Sequence, residues 1–411
     1  MSSGLKRDLG LLGATTLIIG SMIGSGIFLT PGGIARQVGD GYLVLLVWLA
    51  GGLLSLLGAF TYAELGAMFP QSGGQYVYMR ETYGKFLAYL NGWNIFAIGK
   101  SASVAALALG FALTLKAFPF AAGWSAFLIA LTLIVALTAV NVVGVRYGGY
   151  IGNASTFVKL GAVGGITLVG VLYAARGGDV NFATGAASAS APTGWALLSA
   201  FGAAVVTSLF AYDGWVNSTQ VAEEIKNPER NVPRSLILGT LIVTAAYVLI
   251  NVAYLSALGF DGLVGSAGAK DAAASTVATL TGSTGRVLVA VAILVSVFGT
   301  VNAVILSGPR ILFAMARDRV VPGGIAKVHP AWGTPVRSIL IQSLISVGFV
   351  ILAGFRPDGF DFLTNTIIIT SYVFFAFGAL AVILHRRRSP CLLYTSPSPR
   401  DLSTSRMPSS A

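Results

Sequence analysis

Apolar residues in this chain come in runs of twenty or more, and the charged residues collect in the short stretches between them. Each run is long enough to cross a hydrocarbon core of roughly 30 Å as a helix, which satisfies its own backbone hydrogen bonds there. The pattern predicts ten such spans, at about 9–34, 41–66, 86–113, 121–144, 151–175, 194–220, 235–259, 286–313, 336–354 and 362–384. Composition agrees with it: 55% of the 411 residues are hydrophobic, 10% are charged and the mean hydropathy is +0.80. A soluble domain devotes about 25% of its residues to charge, so this chain is expected to be an all-α integral membrane protein.

The charges then orient the spans. With the N-terminus in the cytoplasm, Lys6, Arg7, Arg80, Lys85, Arg146, Lys226, Arg230, Arg234, Arg310, Arg317, Arg319, Lys327, Arg337, Arg386, Arg387 and Arg388 fall inside. Arg36, Lys116, Arg176, Lys270, Arg286 and Arg356 fall outside. Sixteen against six is the positive-inside bias that this topology requires. The net charge of +11 is therefore carried by cytoplasmic loops, and no basic domain stands apart from the helices to bind nucleic acid. One cysteine excludes a disulfide framework, and two distant histidines, His329 and His385, give no metal cluster. Neither a metal, a cofactor nor an obligate protein partner is expected, and no nucleophile–base pair at membrane depth suggests an enzyme. The stretch before the first span is too short for a cleavable signal.

Two spans carry internal breaks. The first contains GSMIGSGIF from Gly20 to Phe28, three glycines and two serines in poor helix material; the sixth contains FAYDGW from Phe210 to Trp215. The breaks correspond if 9–175 and 194–384 are two copies of a five-helix unit, and an odd number of spans inverts the second copy. Discontinuous helices at matching places in inverted halves point to a secondary transporter with its site at mid-membrane. Unwinding frees N–H groups that favour an anion and carbonyls that favour a cation. A substrate with a carboxylate and an ammonium group would meet both: Gly24, Ser25 and Gly26 donating to the first, the carbonyls of Ser208, Phe210 and Ala211 accepting from the second. The competing reading of the glycines and serines is close helix packing.

These residues, together with GSMIGSGIFLTPGG from Gly20, YAELGAMFPQSGGQYVYMRETYG from Tyr62, AYDGWVNSTQVAEEIKNPERNVPRSL from Ala211 and NAVILSGPRILFAMARDRVVP from Asn302, resemble the amino acid–polyamine–organocation superfamily. Within it they look like the prokaryotic relatives of the L-type amino acid transporters. The resemblance implies five-plus-five inverted helices followed by two more, an amino acid substrate and obligatory exchange, in a cell membrane such as the bacterial inner membrane. The last two of the family's twelve helices have no counterpart here. After a cytoplasmic N-terminus at 1–8, the two repeats and a basic end at 385–390, the stretch 391–411 reads CLLYTSPSPRDLSTSRMPSSA. It resembles translated adapter sequence, with an ordinary disordered tail as the alternative, and the natural chain is expected to continue beyond Pro390.

The remaining intramembrane charges are candidates for function. A lysine in hydrocarbon costs about 2.5–3.5 kcal/mol on insertion scales, so Lys159 either snorkels to the interface or has a partner. The resemblance implies that it replaces a sodium ion, linking the first and fifth helices with the eighth through carbonyls near Gly20 to Ile23. It also implies that Phe210 closes over substrate from outside, with core packing as the alternative. Tyr212 and Asp213 are possible supports of the break, Asp213 being equally compatible with a solvent-facing place. Lys100, some fifteen residues into the third span, faces the substrate vestibule or a water-filled cavity. Glu64 is expected to pair with a loop cation, EEIKNPERNVPRS from Glu223 to form a structured connector, and the loop at 260–284 to hold a short external helix.

The charge-poor core favours neutral substrates over dibasic ones, small ones such as alanine, serine or threonine being expected, and the resemblance implies that they are carried without sodium. Proton-coupled uptake and cationic amino acid or polyamine antiport are the alternatives within transport; a receptor that binds without transporting is the alternative outside it. Paired helix breaks argue against a channel, which needs a continuous polar lining.

Overall fold

The apolar runs become ten helices long and apolar enough to cross a membrane. The computed structural model describes residues 9–143, 145–177, 192–266, 271–356 and 359–388. The expectations for 1–8, for Lys270 and for the tail from Cys391 lie outside the described residues.

The first span is α1 (Leu11–Met22), a break, and α2 (Gly26–Leu29), after which Pro31 opens a separate helix, α3 (Pro31–Val38). The second is α4 (Gly41–Met68), whose N-cap Asp40 accepts from the Leu43 N–H at 2.9 Å. A short α5 (Gln75–Tyr83) precedes the third span, which runs through α6 (Lys85–Trp93), a π-helical stretch at Asn94–Lys100, and α7 (Ser101–Leu115). The fourth and fifth spans are α8 (Ala126–Val143) and α9 (Val145–Ala175). The sixth is α10 (Gly194–Tyr212) and, after a break, α11 (Asn217–Gln220). Then come α12 (Pro228–Gly265), α13 (Ala272–Ser307), a short α14 (Pro309–Arg317), α15 (Val336–Gly354) and α16 (Gly359–Arg388).

Helices pack in matched pairs. α1 lies on α12 as α10 lies on α4, α9 on α13 as α16 on α7, α1 on α9 as α10 on α16, and α8 on α13 as α15 on α7. Exchanging the first five spans for the last five maps each pair onto its counterpart, which is what an inverted repeat produces. The burial pattern is inverted relative to a water-soluble fold. Leu57, Leu128, Phe157, Leu288 and Leu344 are exposed on the outer face, whereas Asn141, Lys159, Asn217, Asn251, Asn302 and Gln342 are buried inside. Lipid accepts the first set, and the second finds partners only between helices.

Three boundaries differ from those read in the sequence. In the sixth span Phe210, Ala211 and Tyr212 are still helical, and the break begins at Asp213. The third span carries π-helical turns that no periodicity announced. The 260–284 region holds two helical pieces continuous with the spans, because α12 turns at Gly259 and runs on to Gly265 while α13 starts at Ala272 and turns at Gly282.

Ion pairs gather at the end of the molecule where the chain enters. Glu64 holds Arg386 at 2.6 and 2.9 Å, so its partner belongs to the last helix and not to a loop. Asp318 accepts from Arg80 at 2.5 Å and from the Tyr76 hydroxyl at 2.8 Å. Burial first, then that bond to a carboxylate, holds the Tyr76 phenol well above its ordinary pKa, so it stays a donor. The connector is structured: Leu9 N–H donates to the Glu224 carbonyl at 3.0 Å and Lys226 N–H to the Leu9 carbonyl at 2.7 Å. Beside them the buried Arg310 meets the partly buried Glu224 at 3.1 Å, and Arg310 also donates to the Leu306 carbonyl.

Removing one member of that pair strands the other. Arg310→Ala is expected to destabilise the protein by about 3–5 kcal/mol, and Arg310→Met with Glu224→Leu to recover most of the loss. Thermal unfolding in detergent checks both.

Candidate functional site

Breaking α1 at mid-membrane frees backbone groups that have no water to turn to. Its last carbonyls are met from three different helices. Lys159 of α9, fully buried, donates from Nζ to the Gly20 carbonyl at 2.5 Å and to Thr300 Oγ1 of α13 at 2.6 Å. Tyr247 of α12 places its hydroxyl 2.8 Å from the Met22 carbonyl and 2.9 Å from that of Ala211. The Ile23 carbonyl lies 3.1 Å from Thr300 Oγ1 and 3.2 Å from Ser296 Oγ. Close approach makes this possible, since a Cβ at Gly20 would stand 2.4 Å from Thr156 Oγ1 and one at Gly299 1.9 Å from Ser155 Oγ.

The N–H groups beyond the break are treated differently. Gly24 N–H bends back to the Met22 carbonyl at 2.8 Å. Among the described residues no acceptor meets the N–H of Ser25, Gly26 or Ile27, and the buried Ser25 hydroxyl is also without a partner. Three adjacent donors at the start of a helical segment, facing a protein interior, are an arrangement that favours negative charge.

The second break crosses the first at this point. A Cβ on Gly26 would lie 2.8 Å from the Ala211 Cα, so only glycine allows the contact. Gly214 has φ +112°, and a Cβ there would meet Ser21 backbone at 2.9 Å; both the turn and the crossing require glycine. Around the crossing lies a small cavity lined by Gly24, Ser25, Gly26, Lys100, Phe210, Ala211, Asp213, Asn217 and Thr300, among others. Asp213 is half-buried there.

The residues singled out in the sequence thus fall into three groups. Gly24, Ser25, Gly26, Phe210, Ala211, Asp213 and Lys100 share the cavity. Lys159 stands behind its wall, on carbonyls of α1. Tyr212 and Ser208 turn toward α4: Tyr212 donates to the Trp48 carbonyl at 2.8 Å, and the Ser208 side chain lies against Gly51. The Ala211 carbonyl is already within reach of Tyr247, and that of Phe210 accepts the Asp213 N–H at 3.3 Å, each keeping a second lone pair. Tyr247, Thr300, Ser296 and Asn217 were missed in the sequence, where single tyrosines and hydroxyls in apolar helices carry no signal.

Phe210 borders a second space as well. On the far side from the chain's entry, a cavity of ≈ 350 Å³ is lined by Thr30, Arg36, Gln37, Phe210, Phe360 and Asn365, with others. Phe210, which lines both that cavity and the inner one, meets Phe360 edge to face with centroids 6.0 Å apart. Toward the chain's entry, a third cavity of ≈ 90 Å³ lies between Leu9, Gly20, Thr156, Glu224 and Arg310. Among the described residues no cluster of three or more histidine, cysteine, aspartate or glutamate side chains forms.

Ten spans built round two crossed helix breaks, with a small cavity at the crossing, define a multi-pass membrane protein. The chain belongs to the amino acid permease family, whose model matches residues 9–400. It is 37% identical over 391 residues to the serine/threonine exchanger SteT of Bacillus subtilis (strain 168), covering 94% of this chain and 85% of the relative. It is 30% identical to the human b(0,+)-type amino acid transporter 1 and 29% to the rabbit large neutral amino acids transporter small subunit 2. These matches cover 94% of this chain and 77% and 71% of those proteins. The similarity places the chain among amino acid permeases of the superfamily without singling out its L-type branch. It is therefore an amino acid transporter and not an enzyme.

Tyr247→Phe removes the hydroxyl that meets both breaks and leaves buried carbonyls short of a donor. The expected cost is about 1–3 kcal/mol of stability, read as a lowered unfolding temperature in detergent.

Proposed function

We propose that the protein exchanges small neutral amino acids across a cell membrane by alternating access, without sodium, with its N-terminus in the cytoplasm. The unmet N–H groups of Ser25, Gly26 and Ile27 at the crossing of the breaks carry this reading. A substrate carboxylate completes them, and the second lone pairs of the Phe210 and Ala211 carbonyls are within the same cavity to receive its ammonium group. Lys159 supports sodium independence, because its Nζ occupies the space among the Gly20 carbonyl and Thr300 Oγ1 where a cation would otherwise sit. Phe210, standing between two cavities, supports a gate on the external side. The tightness of the inner cavity and the name of the serine/threonine exchanger among the relatives support small substrates. The excess of lysine and arginine on one side supports the orientation, and for a bacterial cell the inner membrane.

The test is uptake of labelled alanine, serine, leucine and arginine into proteoliposomes without sodium, with and without unlabelled amino acid inside. Exchange predicts uptake of the small substrates only when the lumen is loaded. Equal uptake into empty vesicles under an inward proton gradient would replace exchange with symport, preference for arginine would replace it with cationic antiport, and binding without flux would leave a receptor. Lys159→Ala is expected to slow exchange sharply while the protein still reaches the membrane; unchanged rates would remove Lys159 from the mechanism.

A further inference from the structure

The inner cavity carries more donors than a carboxylate and an ammonium group use. Lys100 is the last residue of the π-helical stretch, and its ammonium lies 2.5 Å from Asn217 Oδ1. π-Helical turns inside α-helices change the direction of the side chains that follow, and they gather at functional places. Lys100 is 7% exposed and Asn217 1%, and both line the cavity. The lysine has three N–H donors and no acceptor, of which Asn217 takes one. The Asn217 amide nitrogen has no hydrogen-bond partner among the described residues, and neither has the Ser25 hydroxyl. An amide nitrogen left without a partner beside an ammonium with two N–H groups to spare is costly unless an acceptor visits the cavity.

The charge on Lys100 is balanced inside the same space. Asp213 lines it too, close enough for its charge and that of Lys100 to act on one another. With lysine and aspartate already opposed, a second anion is not required, and a cationic side chain would meet Lys100 at close range with no carboxylate left over. What remains unsatisfied is a need for a neutral acceptor.

We propose that Lys100 and Asn217 form the side-chain subsite of the carrier and read a hydrogen-bonding oxygen, a hydroxyl foremost, on the substrate. This rests on the amino acid transport reading above and deepens it. The pair would separate threonine from valine, which have nearly the same shape. A methyl group in place of the hydroxyl leaves the buried donors unpaired, and a site built to bond a hydroxyl discriminates strongly against such an analogue.

Proteoliposomes loaded with unlabelled serine take up labelled serine while threonine or valine is titrated outside as competitor. The wild-type protein is expected to prefer threonine by about tenfold or more, and Lys100→Met and Asn217→Leu each to bring the ratio to about twofold or less. A wild-type ratio near one, or a preference that survives both substitutions, overturns the subsite. For a variant that does not exchange, the same ratio is read from the concentrations at which threonine and valine raise the unfolding temperature of the purified protein, with Lys100→Gln as the gentler change. A wild-type protein that takes up no amino acid defeats the transport reading and this one together; uptake with an unaltered threonine-to-valine ratio defeats this one alone.

Discussion

A helix that stops in hydrocarbon must find partners for the backbone groups it releases, and the interior of this protein is arranged around that demand. The carbonyls of Gly20, Met22 and Ile23 are served by Lys159, Tyr247, and Thr300 with Ser296, which stand on α9, α12 and α13. Each of those helices is consequently fixed in depth and rotation against α1. The break is a joint held from three sides, and the polar residues buried in an otherwise apolar bundle are largely its fastenings. Only the N–H side of the joint is left open, over the cavity.

The same demand explains what could be read in the chain beforehand. Runs of apolar residues gave the ten spans because a membrane helix has to be continuous to be stable, and GSMIGSGIF stood out because three glycines in nine residues contradict that rule. The second break was legible as a place but not in detail: FAYDGW contains one glycine, and the α-helix persists through Tyr212 because Tyr212 and Ser208 pack on α4. Packing of that kind is a property of two segments more than 150 residues apart. The π-helical turn before Ser101 was invisible for the same reason, since NIFAIGK at Asn94–Lys100 has ordinary helical composition. Lys159 was noticed because a charge in hydrocarbon calls for a partner; Tyr247 and Thr300 were not, because an uncharged hydroxyl there calls for none.

Charge in this molecule follows two different logics. At the chain's entry end, the partly exposed pairs Arg310 with Glu224 and Arg80 with Asp318 bind connectors to helices. They lie outside the site and fasten it from one side. At the centre, Lys159 faces carbonyls and a hydroxyl instead of a carboxylate, while Lys100 faces an amide and shares its cavity with Asp213. A positive group held by neutral dipoles depends on every one of them being in place, so it reports the geometry of the break far more sensitively than an ion pair would.

Three spaces lie in line through the molecule, and the partitions between them are thin. Phe210 lines both the cavity beside Arg36 and the inner one, and packs on Phe360. On the other side the partition is α1 itself, with Gly20 lining the lower cavity and Ser21 the inner one. Under the alternating-access reading, opening beside Phe210 would ask for movement of one aromatic pair, and opening past α1 would ask it to leave Lys159, the Leu9 backbone bonds and the close crossing at Gly214. These contacts are few, polar and individually modest, the kind that can be exchanged for others without unfolding the bundle. Under the exchange reading, a substrate that completes the donors of Ser25, Gly26 and Ile27 joins α2 to the second break, and its departure leaves those donors without an acceptor from the protein. An empty carrier is then the costlier state to move, which is a physical reason for one amino acid to wait for another before the carrier turns.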